Sequence, residues 1–166
     1  MSFRIRPFQK TDFEVLWRMD QICFDPHLAY SRPELALYMR RPGGFTLVAE
    51  SLVVGAGQNG REQAKVIGFI VAEARRRTGH IITIDVLPDV RRSGVGSALL
   101  QAAEDRLRQA GATVVELETA VDNAAAIQFY KRKEYFVEKT LPGYYSNHLD
   151  ALVMSKDLVP ASVKHT

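Results

Sequence analysis

Phe3, Ile5 and Pro7 alternate with Arg4 and Arg6, the period-two pattern of a half-buried strand, and the pattern stops at the turn-like Lys10-Thr11-Asp12. Helical spacing then takes over. Thr11 followed three residues on by Glu14 forms a capping box, and Phe13, Leu16, Trp17 and the stretch from Asp20 to Phe24 continue at helical intervals. Ser31 with Glu34 repeats the signal and predicts a short second helix from Arg32 or Pro33 to about Arg40, stopped by Pro42-Gly43-Gly44. Between the two helices CFDPHLAYS carries a proline and two aromatics and breaks the helical pattern. FTLVAESLVV and KVIGFIVAEAR are apolar, β-branched runs that read as strands, with GAGQNGREQA as the hairpin loop joining them. HIITIDVLP reads as another strand. SALLQAAEDRLRQAG is an amphipathic helix with Val95, Leu99, Ala102, Ala103, Leu107 and Ala110 on its apolar face and Gly111 as its stop. TVVELETA is a strand, DNAAAIQFYKRK a helix, and EYFVEKT and DALVMSKDL are two last strands joined across LPGYYSNH.

That order predicts an α/β (α+β) fold, a mixed sheet covered by helices, with residues 1–166 as a single domain. Composition agrees: 46% hydrophobic and 25% charged residues in 166 suffice to bury a core without metal or disulfide. Cys23 is the only cysteine, which excludes a disulfide framework, a multi-cysteine zinc cluster and an iron-sulfur site, and suits a reducing cytoplasm. No apolar run approaches the roughly 20 residues of a membrane span, and Met1 to Lys10 lacks the apolar centre of a signal peptide. The expected location is therefore cytoplasmic, without membrane attachment. The net charge of +3 arises from 22 basic and 19 acidic residues without a long basic block, so direct nucleic-acid binding is not expected. His27, His80, His148 and His165 lack ligand spacing and predict no metal site.

The most informative stretch is IDVLPDVRRSGVGSALL, where a strand ends, a basic glycine-containing turn follows and a helix begins. Gly94 and Gly96 allow close backbone approach to an anion, the N–H groups from Ser93 through Val95 and Gly96 to Ser97 are free of helical partners, and Arg91 and Arg92 add charge. The ligand this suits is a pyrophosphate. No Lys-Ser or Lys-Thr follows as in a Walker loop, and Leu99 stands where a dinucleotide fingerprint has its third glycine. Elsewhere the residues leave two readings each. Glu118, sharing a strand face with Glu116, is either a solvated acid or a proton acceptor; Tyr130 is a core tyrosine or an acid; Asn123 is a helix cap or a ligand contact. Phe24, Pro26, Tyr30, Tyr144 and Tyr145 are loop aromatics and a proline that either pack over the sheet edge or bind something.

Arg91-x-x-Gly94-x-Gly96 after a strand resembles the acetyl-CoA signature of the GNAT acetyltransferases, and LETAVDNAAAIQFYKR resembles the second half of their cofactor site. GYYSNHLDALVM and FDPHLAYS are similar to the tyrosine-pair and substrate loops of RimI-type protein N-terminal acetyltransferases. The resemblance implies a mostly antiparallel seven-stranded sheet with about four helices and acetyl-CoA as cosubstrate, with no metal. It implies Glu118 as general base, acting directly or through water, with Asp85 in reserve, and Tyr130 as the acid that protonates the leaving thiol. Arg91 to Ser97, Asn123 and Tyr130 would hold the cofactor, with a backbone N–H of Val86 or Leu87 on the oxyanion. The acceptor is then a protein or peptide N-terminus with a small first residue such as alanine, a ribosomal protein among the candidates, gripped by Phe24, Pro26, Tyr30, Tyr144 and Tyr145. A lysine side chain, a small amine such as a polyamine or antibiotic, and a non-catalytic acyl-CoA sensor are the alternatives. One departure from the family is Lys133-Glu134-Tyr135 in place of Leu-Gly-Phe, which opens the expectation of a differently shaped turn there.

Overall fold

The computed structural model describes residues 2–52 and 64–158. The hairpin loop expected over residues 55–64 lies almost wholly outside them, as do the last two positions of the FTLVAESLVV strand and His165. In chain order the elements are β1 (Phe3–Pro7), α1 (Phe13–Cys23), α2 (Arg32–Met39), β2 (Gly44–Ser51), β3 (Lys65–Arg75) and β4 (Thr78–Val86). They are followed by α3 (Val95–Gln109), β5 (Val114–Ala120), α4 (Ala124–Arg132), β6 (Phe136–Leu141) and β7 (Ala151–Asp157). The strands form one seven-stranded sheet in the order β1-β2-β3-β4-β5-β7-β6. Every neighbouring pair is antiparallel except β4 and β5. Among the described residues no helix is long and apolar enough to cross a membrane.

The two faces of the sheet are covered by different helices because β3 alternates between them. Ile70 and Ala72 pack with Val95, Leu99, Ala103 and Leu107 of α3, while Phe69 and Val71 pack with Leu16 and Met19 of α1 and Leu35 of α2. Within α3 the predicted apolar face needs one correction: Ala110 is exposed, and Glu104 is buried instead. The Glu104 carboxylate accepts from Lys156 Nζ at 2.9 Å and from the Tyr135 hydroxyl at 3.2 Å, which satisfies an acid that periodicity would have left outside.

Local signals were honoured unevenly. Ser31 caps α2 as predicted, its Oγ accepting from Glu34 N at 3.3 Å while Glu34 Oε2 accepts from Ser31 N at 2.8 Å. The Thr11–Glu14 box is not used. Thr11 lies inside a short 3₁₀ turn, Lys10–Asp12, and Asp12 takes the cap role by accepting from Gln9 N at 2.8 Å. Arg6 donates to both Asp12 carboxylate oxygens at 2.8 Å, and a bidentate charged pair outweighs a threonine hydroxyl cap. After α4 the expected change of shape does not occur. Glu134 adopts φ 69°, the left-handed conformation a glycine would take, and Tyr135 N and Glu134 N still bond to Tyr130 O and Lys131 O as in an ordinary helix stop.

The feature that positions the site is a split between β4 and β5. They pair only over Thr78–Ile81 and Val114–Leu117, although β4 continues on β3 to Val86 and β5 continues on β7 to Ala120. A bulge sits at the same level, between Val71/Ala72 and Thr83/Ile81, leaving Ile82 without an opposite residue on β3. Such an extra residue bends and twists its strand, here where the parallel ladder ends.

Candidate active site

Glu118 is the first residue of β5 beyond its last pair with β4, so its side chain stands at the mouth of the split. His80 Nε2 lies 2.6 Å from Glu118 Oε2, and His80 Nδ1 lies 3.6 Å from the buried carboxylate of Glu73. Burial disfavours the charged imidazole, but the hydrogen bond and charge of Glu118, and then those of Glu73, outweigh it and raise the His80 pKa above its ordinary 6.5. His80 is thus a hydrogen-bonding partner of Glu118 that its sequence did not announce, since the pairing of β4 beside β5 is what brings residues 38 apart together. Glu116 shares the strand face as period two requires.

Asp85, the reserve base, is 1% exposed on β4 and accepts from Thr83 Oγ1 at 2.7 Å. Burial pushes its carboxyl well above the usual range and so favours its protonated form. Tyr130 is a core residue by burial, 6% exposed, with its ring against Phe129 and Tyr135 at centroid distances of 5.3 and 5.6 Å. Its hydroxyl has the Asp85 and Tyr145 side chains as neighbours. Burial foremost, with those neighbours, raises its pKa and keeps it a proton donor.

The two candidate oxyanion donors separate. Leu87 N donates to Ile67 O at 3.0 Å, so that N–H is occupied. Antiparallel strands alternate hydrogen-bonded and non-bonded pairs, which puts the neighbouring Val86, opposite Gly68, at a position turned away from β3. Its N–H therefore faces the split where β5 no longer pairs. Arg91 Nε donates back to Val86 O at 3.0 Å and pins the turn to the strand end.

In that turn Arg92 and Gly94 have φ 64° and 90°, and Gly94 caps α3 without a side-chain bond. The first intrahelical bond is Ala98 N to Gly94 O at 3.0 Å, which leaves the N–H groups of Val95, Gly96 and Ser97 without helical acceptors. A Cβ on Gly96 would lie 3.5 Å from Phe129 and 3.7 Å from Val86, filling the approach between α3, α4 and the strand end. Asn123 does cap α4, its Oδ1 accepting from Ala126 N at 3.2 Å.

Tyrosines from three segments converge. The rings of Tyr30 and Tyr38 lie 5.1 Å apart and those of Tyr144 and Tyr145 5.0 Å apart. Glu118 lies near both Tyr144 and Tyr145, while Tyr38 neighbours Tyr144, and Tyr30 neighbours Tyr144 and Tyr145. Tyr38, on α2, was missed because its place in a helix gave no loop signal. Tyr30 is fixed by α1: its N–H donates to Asp20 Oδ2 at 2.7 Å, and its carbonyl accepts from Trp17 Nε1 at 3.0 Å and Gln21 Nε2 at 2.8 Å. Ser146 Oγ donates to His27 O at 2.9 Å and ties the two loops together. Phe24 is half-buried and Pro26 exposed, and neither joins the tyrosine cluster by ring contact. Among the described residues no group of three or more metal-ligating side chains is assembled.

The model of the acetyltransferase (GNAT) family matches residues 13–135. An N-alpha-acetyltransferase of Sulfurisphaera tokodaii is 39% identical over 83 residues, 49% of this chain and 50% of that protein. The chain spans about half the length of the curated relatives it matches. Among solved structures, Ard1 from Thermoplasma volcanium superimposes with a TM-score of 0.81 at 29% identity, covering 96% of this chain and 100% of that one. The ribosomal-protein-S18-alanine N-acetyltransferase from Escherichia coli superimposes at 0.78 over 99% of both chains; at 23% identity this shows a shared fold. With the family match spanning most of its length and the split sheet and basic turn in place, the chain belongs to the GNAT acetyltransferase family.

Proposed function

We propose that the chain transfers the acetyl group of acetyl-CoA to the N-terminal α-amine of a protein. The observation that carries this reading is the Glu118–His80 pair, 2.6 Å apart, at the mouth of a split that has the Val86 N–H on its other wall. Acetyl-CoA supplies a thioester carbonyl on a long phosphate-bearing carrier. The residues fit it: the free N–H groups of Val95, Gly96 and Ser97 with Arg92 suit a pyrophosphate, and bare Gly96 leaves the approach to Val86 open. A groove of about 320 Å³ lined by Ser97, Ala98, Gln101 and Lys133 extends along α3 and offers room for the remaining nucleotide. Asn123 keeps its amide N–H₂ for the same ligand while its oxygen caps α4. Val86 N–H then donates to the carbonyl oxygen as it gains charge, Tyr130 gives a proton to the departing sulfur, and Glu118 with His80 takes one from the amine.

The turn gives a direct check. Gly94→Val forces a β-branched residue to φ 90°, whereas Gly96→Val keeps the helix but fills the approach. Both variants should lose at least about tenfold in acetyl-CoA affinity by calorimetry, from roughly 1–2 kcal/mol of backbone strain in the first and steric blockage in the second. Unchanged affinity in both would remove the turn from the donor site.

For the acceptor, the four tyrosines offer hydroxyls to a peptide backbone and leave a narrow slot for a small first residue such as alanine, in keeping with the RimI-type resemblance and with a ribosomal protein as one candidate, acetylated in the cytoplasm. An α-amine has a pKa near 8 and a lysine amine near 10.4, so at pH 7 about a tenth of the first but under about a thousandth of the second is neutral. Two peptides of one sequence separate the readings, one with a free N-terminus and no lysine, the other N-terminally blocked with one lysine. The free N-terminus is expected to be acetylated about 10²-fold faster. Faster reaction of the blocked peptide would assign the site to lysine or small amines, and reaction of neither to a sensor.

A further inference from the structure

We propose that Asp20 of α1 and Asp85 of β4 share a single proton, and that the hydrogen bond it makes is a positioning device holding the acceptor loop in register with the donor wall of the split. The consequence for catalysis rests on the function proposed above; the shared proton does not.

Asp20 is 0% exposed and Asp85 1% exposed, and they lie on α1 and β4, which pack against each other. Each commits one carboxylate oxygen elsewhere. Asp20 Oδ2 accepts from Tyr30 N at 2.7 Å, and Asp85 Oδ1 accepts from Thr83 Oγ1 at 2.7 Å. The other two oxygens, Asp20 Oδ1 and Asp85 Oδ2, are buried and have no donor among the described residues. Each of the two carboxyls nonetheless bears on the ionisation of the other, as neighbouring acids do. Two ionised carboxylates have no proton to offer each other, and two facing charges out of water are strongly unfavourable. One proton placed between Asp20 Oδ1 and Asp85 Oδ2 satisfies both orphans and leaves the pair with one charge.

The surroundings agree. Burial is the leading cause that raises both carboxyls. From α2, Glu34 adds a like charge that favours protonation of Asp20. From the turn, Arg91 brings a positive charge that opposes protonation of Asp85. The remaining neighbours stay neutral: Thr83 on β4, the Tyr30 phenol, Tyr130 on α4, and Cys23 on α1, whose thiol is pushed up to about 11 by burial and by Asp85. The pair therefore keeps its proton to a higher pH than a free carboxyl does and loses it as pH rises through that raised value.

Its place in the chain gives the pair leverage. Asp85 precedes Val86, whose N–H faces the split, and Asp20 holds the backbone of Tyr30 at the acceptor side. Losing the proton turns the Asp20–Asp85 bond between these walls into a repulsion. The acceptor KM should then rise on the alkaline side with a smaller change in kcat.

The direct test is infrared spectroscopy of the wild-type protein at neutral pH, which should show the C=O stretch of a protonated carboxylic acid that shifts in heavy water. Amide NMR should show Tyr30 and Val86 N–H moving together with pH at one midpoint. In Asp85→Asn the side-chain amide donates to Asp20 without titrating, so the infrared band, the joint NMR transition and the alkaline rise in KM should all vanish. Absence of the band in the wild type would overturn the shared proton, whether or not the variant folds. A band with Tyr30 and Val86 titrating independently would overturn the positioning role. Both readouts decide the matter even if no acetylation of α-amines is found.

Discussion

Replacing Tyr130 by phenylalanine is expected to lower turnover about 10²- to 10⁴-fold while acetyl-CoA affinity and the melting temperature stay near those of the parent. The ring is what the core uses: it is 6% exposed and packed against Phe129 and Tyr135, and phenylalanine keeps those contacts. Only the hydroxyl is removed. That hydroxyl is held protonated chiefly by burial, the condition required of a group that gives its proton to a departing thiolate. Steady-state kinetics beside a thermal melt and a calorimetric titration separates the two roles. Activity within twofold of the parent would make Tyr130 a packing residue alone, and a melting temperature lowered by many degrees would show that the hydroxyl serves the fold.

Much of this arrangement is legible along the chain where its cause is local. The turn from Arg91 to Ser97 is contiguous, so glycines, arginines and a helix start can be read together, and the Ser31–Glu34 cap of α2 needs only its own four residues. The parts that escape reading depend on which strands become neighbours. Period two puts Glu118 and Glu116 on one face of β5, yet nothing in TVVELETA says that β4 runs parallel beside it or that the pairing ends after Ile81 and Leu117. His80 and Glu73 are invisible for that reason, one at the head of an apolar strand and the other near the end of one. Asp12 shows the same limit in miniature. Its local competitor Thr11 has a valid capping pattern, and a charged partner from β1 overrides it. Glu134 errs in the other direction, because a packed turn with Tyr135 buried at 1% exposure holds a non-glycine residue in the left-handed region that the sequence alone argues against.

Glu118→Gln tests whether the pair at the mouth of the split acts as one proton acceptor. Glutamine keeps the shape and a hydrogen bond to His80 but cannot carry the charge, so kcat/KM is expected to fall by about 10²- to 10⁴-fold. The pH profile carries the stronger test. In the parent, Glu118 first and Glu73 second raise the His80 pKa above 6.5 against the effect of burial, so the imidazole is neutral, and the pair free to accept a proton, only above that raised value. Acetyl transfer should therefore rise with pH through it. Removing the Glu118 charge leaves burial opposed by Glu73 alone, and the midpoint should move to more acid pH. Stability follows the same linkage. The stabilisation from a raised histidine is fully present below 6.5 and is lost as pH rises through the folded-state value, so Glu118→Gln should cost more stability in mild acid than at alkaline pH. Carbon-13 or proton NMR of the His80 Cε1–H, followed beside the rate profile, reads both. A histidine midpoint that does not move on losing Glu118, or a rate profile that ignores the histidine midpoint, would separate His80 from the chemistry and leave Glu118 to act alone.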